Sequence, residues 1–155
     1  MQMVVRVQTL CMIFDEERIL LGKKKRGFGT GRWNGFGGDI EDGESVEVAA
    51  VRETVEECGV TPKQIVRRGY ITGNRLGLID QLVVHLFVTS QYTGEPRETV
   101  EMEPRWFPRV QIPYKQMMPF DELWLPLVLA GHSIMGDVTY DVFATKMLEH
   151  KLRKY

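Results

Sequence analysis

The chain has 155 residues, 43% of them apolar, and 20 Lys and Arg stand against 21 Asp and Glu for a net charge of −1. That length buries a sizeable core and suits one compact domain over 1–155, and the near-neutral balance excludes a broad surface for long nucleic acid. No apolar run reaches the ~20 residues that cross a bilayer and no signal segment opens the chain; its two cysteines, Cys11 and Cys58, form no disulfide framework, so a cytoplasmic protein with reduced thiols is expected, with the oligomeric state open and monomer favoured.

In chain order, Met3 to Phe14 is rich in Val, Thr, Ile and Phe and predicts a strand, paired with a second short one from Arg18 to Gly22 across the acidic turn Asp15–Glu17. Lys23 to Arg32 combines four consecutive cations with Gly27, Gly29 and Gly31, which predicts a basic loop returning to a strand at Trp33. Ser45 is an N-cap with Glu47 in the first turn, and Cys58-Gly59 followed by Pro62 is a stop, so the stretch between is a helix of about three and a half turns. Ile65 to Leu76 and Leu78 to Ser90 predict an antiparallel pair broken at Gly77, Tyr92 to Pro104 a polar, turn-rich stretch, and Arg105 to Pro108 a short strand. Phe120 to Ala130 predicts a second helix with Leu123, Leu127 and Ala130 on one side, and the tail from Ile134 to Arg153 a hairpin or a strand plus short helix. Such an order predicts an α+β or α/β sandwich around a mixed sheet.

The densest signal lies on the central helix. From Gly38 the spacing runs five residues to Glu44, seven to Arg52-Glu53, two to Glu56-Glu57 and one to Gly59. Seven fixed letters at fixed spacing arise by chance on the order of once in 10⁸ starting points. At about 100° per residue, Glu53, Glu56 and Glu57 fall within an arc of about 100°, with Val48, Val51, Val55 and Cys58 expected on a core face opposite. Three carboxylates at i, i+3 and i+4 repel one another unless a cation lies among them, and magnesium is the natural one because it bridges carboxylates to phosphates. Arg52 is placed to hold a glutamate in a fork, with Glu44 as partner. Phe36-Gly37-Gly38 lets backbone approach a diphosphate just before the helix.

This segment resembles the box of the Nudix hydrolases, which cleave a nucleoside diphosphate linked to another group. The similarity extends from about Thr9 to Leu129 and is strongest toward the branch acting on oxidised purine nucleoside triphosphates. Leu20-Leu21-Gly22, Lys24 to Gly29, Gly31 to Gly38, Glu101-Met102, Trp106-Phe107 and Asp121 carry it. The resemblance implies a Nudix-type α/β/α sandwich around a mixed sheet. It implies a metal shell of Gly37 (by its carbonyl), Glu53, Glu56, Glu57 and Glu101 holding Mg²⁺, with Mn²⁺ as a substitute; by sequence alone Glu98 and Glu103 compete with Glu101. Lys24 would face phosphate or sugar, Asn34 the base edge, and Thr9, Phe28, Phe36, Gly38 and Asp39 the same substrate region.

The chain departs from these relatives at the base pocket. Where they carry an aromatic residue and an aspartate pair, it has Met118, Phe120 and Asp121, and two positions that are bulky aromatics in them are Gly73 and Arg75 here. Phe120 neither donates nor accepts a hydrogen bond, so a changed, wider base pocket is expected. The function implied is Mg²⁺-dependent hydrolysis of a purine nucleoside triphosphate, oxidised or otherwise modified, to monophosphate and diphosphate, a sanitising role in the nucleotide pool. The alternatives are another nucleoside diphosphate derivative, such as a dinucleoside polyphosphate or nucleotide sugar, and a non-catalytic nucleotide sensor.

Overall fold

The computed structural model describes residues 2–155. Its strands are β1 (Val4–Phe14), β2 (Arg18–Lys24), β3 (Trp33–Asn34), β4 (Thr61–Lys63), β5 (Val66–Arg75), β6 (Asp80–Thr89), β7 (Gln91–Thr93), β8 (Met102–Pro108), β9 (Ile134–Tyr140) and β10 (Met147–Lys154); its α-helices are α1 (Val46–Cys58) and α2 (Asp121–Leu129). The main sheet runs β10-β9-β5-β6-β1-β2-β3, with β8 also on β2, and β4 pairs with β7 in a small separate ribbon. It is mixed: β1 lies parallel to β6 and β5 parallel to β9, while the other pairs are antiparallel. The undecided tail is the β9–β10 hairpin.

Strand alternation divides the core between the two faces. Met12, Ile19, Leu21, Leu86 and Val88 point to one side and pack with Trp124, Leu125 and Val128 of α2. Their neighbours Cys11, Ile13, Leu20 and Phe87 point to the other and pack with Ala50 and Cys58 of α1. A helix thus covers each face, which is the α/β/α sandwich.

β1 and β2 are antiparallel partners as expected, at Ile13–Leu20 and Phe14–Ile19, and β2 also pairs along its whole length with β8. The rest of that edge of β1 is taken by the segment before α1, through Gln8 with Asp39 and Cys11 with Phe36. Two expectations are corrected. The core face of α1 is not the valine face: Val48 is 56% exposed, whereas Ala49, Ala50, Thr54, Glu57 and Cys58 are buried. Small side chains win because α1 lies close on β1, and Thr54 satisfies its hydroxyl by donating to the Ala50 carbonyl at 2.8 Å. In α2 the buried stripe is Asp121, Trp124, Leu125 and Val128, while Leu123 and Leu127 are only partly covered and Ala130 is exposed.

Candidate active site

Ser45 caps α1 by accepting from the Val48 N–H at 3.1 Å, and Gly59 closes it in the left-handed region at φ 77°. The helix is therefore fixed at both ends, and its carboxylates are aimed at the segment beside β1. Phe36 and Gly38 give their carbonyls to the N–H groups of Cys11 and Thr9, at 2.6 and 3.0 Å. Alternation turns the peptide groups of Gly37 the other way, toward α1, where its N–H donates to Glu57 Oε1 at 2.8 Å. Backbone closes the place of a side chain at Gly37, and the Glu53 carboxylate occupies it at Gly38. A Cβ on Gly37 would stand 1.7 Å from the Thr9 carbonyl oxygen, and one on Gly38 2.6 Å from the Glu53 carboxyl carbon. Gly37→Ala is expected to lower the melting temperature by several degrees and abolish turnover, read by thermal unfolding and by phosphate release.

Arg52 is the hub of the acidic stripe. Its Nε and Nη2 grip both oxygens of Glu44, at 2.7 and 2.9 Å, in the expected fork. Nη2 also donates to the Asp39 carbonyl at 3.0 Å, and Nη1 donates to Glu53 Oε1 at 3.0 Å and Glu56 Oε2 at 3.3 Å. The guanidinium holds the Glu44 carboxyl down at about 2. Glu53 is pushed the opposite way, upward, by burial that its Arg52 contact only partly offsets. Glu57 is raised furthest, to about 7, by burial first and then by the charges of Glu53 and Glu101, with the Gly37 N–H and Lys24 opposing. Glu56 lies on the exposed side of the stripe.

Glu101 enters from the bend just before β8 and is gripped by Arg26, whose Nε stands 2.9 Å from Oε1 and whose Nη2 approaches the same oxygen. Its rivals point elsewhere: Glu98 pairs with Lys25 at 3.1 Å and Glu103 with Arg105 at 3.7 Å. Among the described residues no three acidic, His or Cys side chains converge into a closed ligand set. Arg52 Nη1 bridges Glu53 and Glu56, and Arg26 holds Glu101 separately.

Beside the stripe opens a cavity of about 260 Å³, near the lower end of ligand pockets and sized for a base rather than a whole nucleotide. Glu57 lies at its wall. Thr9, Lys24, Phe28, Asn34, Gly37, Gly38, Gly73, Met118, Phe120 and Asp121 all line it. Three expected substrate contacts do not. Phe36 is wholly buried in the α1-side core, Asp39 is tied outside to Arg6 and Gln8, and Arg75 stacks its guanidinium on Phe28 at 4.4 Å.

Inside the cavity Asp121 gives one oxygen to the Trp124 indole N–H at 2.9 Å, while its Oδ2 and the Thr9 hydroxyl are buried without a partner. Burial lifts the Asp121 carboxyl to about 7. Two unpaired buried polar atoms in one cavity are a costly arrangement unless a ligand completes them. Sequence reasoning missed three supports of this site. Trp124 orients Asp121 from i+3, a spacing visible in the sequence; Arg32 donates to Met118 Sδ and to the Ala144 carbonyl; and Arg26 holds Glu101. The last two join residues 75 to 112 positions apart, and no local pattern announces them.

The NUDIX domain profile matches residues 4–128. The chain is 42% identical over 147 residues to the oxidized purine nucleoside triphosphate hydrolase of Danio rerio, covering 95% of this chain and 94% of that one. It is 39% identical over 149 residues to the Mus musculus protein of the same name, covering 96% and 95%. Among solved structures it is similar to a MutT protein from Bacillus halodurans, with a TM-score of 0.82 at 25% identity over 95% of this chain and 97% of that one. With the glycine pair, the Arg52 hub and the acidic stripe in place beside a base-sized cavity, and with these matches along nearly its whole length, the chain belongs to the NUDIX family of hydrolases.

Proposed function

We propose that this chain hydrolyses a purine nucleoside triphosphate, oxidised or otherwise modified, to the monophosphate and diphosphate, and so removes damaged nucleotides from the pool. One observation carries the reading: Glu57, the most strongly raised carboxyl of the stripe, also lines the base-sized cavity. A base seated against Asn34, Thr9 and Asp121 would leave its phosphates over the stripe. The names of the Danio rerio and Mus musculus relatives support the substrate class.

Glu53, Glu56 and Glu57, with the Gly37 carbonyl and Glu101, would hold Mg²⁺ or Mn²⁺. The donor set fits a hard cation, since it is all oxygen and its carboxylates carry like negative charges that repel one another. When bound, such an ion neutralises the phosphate oxygens and activates water. The chain itself does the rest. Arg52 fixes Glu44, Glu53 and Glu56 in orientation, Lys24 sits where it can meet a phosphate or sugar oxygen, and Glu53 and Glu56 are the carboxylates placed to take the proton of the attacking water.

Asn34 accepts from the Gly35 N–H at 2.9 Å through its amide oxygen, which leaves its NH₂ to donate to an acceptor on the base. Both thiols are buried and free, with Cys11 raised to about 12 and Cys58 to about 11 by burial, which suits a reducing cytoplasm. Among the described residues no helix is long and apolar enough to cross a membrane.

The test is a panel of ordinary, oxidised and methylated purine triphosphates, dinucleoside polyphosphates and nucleotide sugars, with separate detection of diphosphate and orthophosphate. Diphosphate release from purine triphosphates, dependent on divalent cation, is expected. Turnover confined to dinucleoside polyphosphates or nucleotide sugars, or binding with no turnover, contradicts the reading.

A further inference from the structure

Glycine in the interior of a strand has a reason: a bulge, a close backbone approach or a neighbouring side chain that fills the place of its own. The strand glycines of this sheet bear that out with one exception. A Cβ on Gly22 would meet Met102 at 2.4 Å, one on Gly69 the Ile134 carbonyl at 1.8 Å, and one on Gly136 the Phe120 ring at 2.8 Å. At Gly73, inside β5 and two residues before its end, a Cβ would meet nothing within 4 Å, and no left-handed φ demands glycine there. Neither packing nor backbone explains this residue.

The space over Gly73 is part of the base cavity. Register places Leu82 of β6 and Val138 of β9 on either side of it, and Ile71, two residues back on the same face, continues the floor. All three line the cavity and all are apolar. Phe28 also lines the cavity, and Arg75, two residues on and outside the lining, covers the Phe28 ring from behind and donates to the Val142 carbonyl at 3.3 Å. At the other end of the cavity Phe120 packs its ring on Gly136. Bulk has been placed at the start of α2 and withheld from β5, so the open volume lies over the strand.

Resting on the purine triphosphatase reading above, we infer that the space over Gly73 is a subsite for an apolar substituent carried on the purine ring. Gly73 is then the residue that sets how large a base this chain accepts. The favoured substrates are purine triphosphates enlarged by a hydrocarbon group, the products of alkylation or adduct formation on the base.

The experiment compares wild type with Gly73→Leu and Gly73→Phe on dATP and dGTP, on their N6-benzyl and O6-benzyl forms, and on the 8-benzylthio forms, so that both edges of the purine are probed. Wild type is expected to hydrolyse at least one benzyl compound with a kcat/KM within tenfold of its parent. Gly73→Phe should lower kcat/KM on that compound at least twentyfold more than on the parent, and the thermal midpoint should hold within a few degrees because a Cβ here meets no atom within 4 Å. Gly73→Leu should fall between. The inference is overturned if wild type turns over the parents but none of the enlarged forms, or if both substitutions cost parent and enlarged substrate equally. Failure of wild type on every purine triphosphate overturns the parent reading as well and is distinguished by the absence of diphosphate from dATP and dGTP.

Discussion

Glu57→Gln is expected to cut kcat/KM at least a hundredfold and, in the same protein freed of metal by chelation, to raise the melting temperature at pH 8. The first effect follows from removing a charge that faces both the acidic stripe and the cavity; groups that stabilise or move charge in the reaction are worth about 10²- to 10⁴-fold. The second follows from its burial. Folding lifts this carboxyl from 4.5 to about 7, so the folded state binds the proton more tightly than the unfolded chain does. Metal-free stability is then greatest below about pH 4.5 and falls as pH rises through about 7, by an amount of order 3 kcal/mol at most. Glutamine keeps an oxygen for the Gly37 N–H and has nothing to ionise. Thermal unfolding of the two proteins from pH 5 to pH 8 in a chelator checks this: the midpoints should diverge as pH rises, and parallel curves would show that Glu57 carries no buried charge.

Arg52→Lys is expected to lose activity nearly as completely as Arg52→Met, by a hundredfold or more, although lysine keeps the positive charge. One guanidinium makes five polar contacts here, to two oxygens of Glu44, one each of Glu53 and Glu56, and the Asp39 carbonyl. An ammonium is a point donor and reproduces one or two of them. The loss should appear in kcat with the melting temperature of Arg52→Lys reduced only modestly, and a lysine variant with near-normal kcat would reduce Arg52 to a surface ion pair. Acid titration adds a second readout. The Glu44 carboxyl is depressed by Arg52 first and by the Glu41 N–H second, so its contribution to stability is present above its unfolded value of 4.5 and is lost as pH falls toward about 2; Arg52→Met should weaken that acid-side dependence and leave the part due to Glu41.

What the sequence disclosed followed the range of the signals. Ser45, Gly59 and the Glu spacing are local, and α1 came out between the expected limits with the expected caps. The β5–β6 hairpin around Gly77 is likewise local. The β1–β2 pairing across a short turn was legible, whereas the parallel β1–β6 and the β2–β8 pairings join residues some 75 or more apart and leave no periodic trace. The face of α1 was misjudged because valine outranks alanine and threonine in hydrophobicity, while the close approach to β1 selects for small volume. The error has a functional consequence, since the true buried stripe includes Glu57 and presses it against Gly37.

The site shows the same division. The box is contiguous and was readable down to the Glu44–Arg52 fork. The cavity is assembled from strands and loops across the chain, and proximity along the sequence misled at Phe36 and Asp39, which flank the glycine pair yet point into the core and out to Arg6. Strand alternation accounts for Phe36: adjacent residues face opposite ways, so with the peptide groups of Gly37 turned to the helix, those of Phe36 bind β1 and its ring goes beneath.

The account stands on one claim, that the acidic stripe of α1 captures a divalent cation beside the cavity that seats the base. The most direct measurement is an anomalous difference map from crystals grown with Mn²⁺ and a non-hydrolysable purine triphosphate analogue. A manganese peak bound by carboxylate oxygens of Glu53, Glu56 and Glu57, with the base in the cavity lined by Asn34 and Asp121, is the predicted result. Manganese bound elsewhere, or those three side chains turned to solvent away from the phosphates, would contradict it.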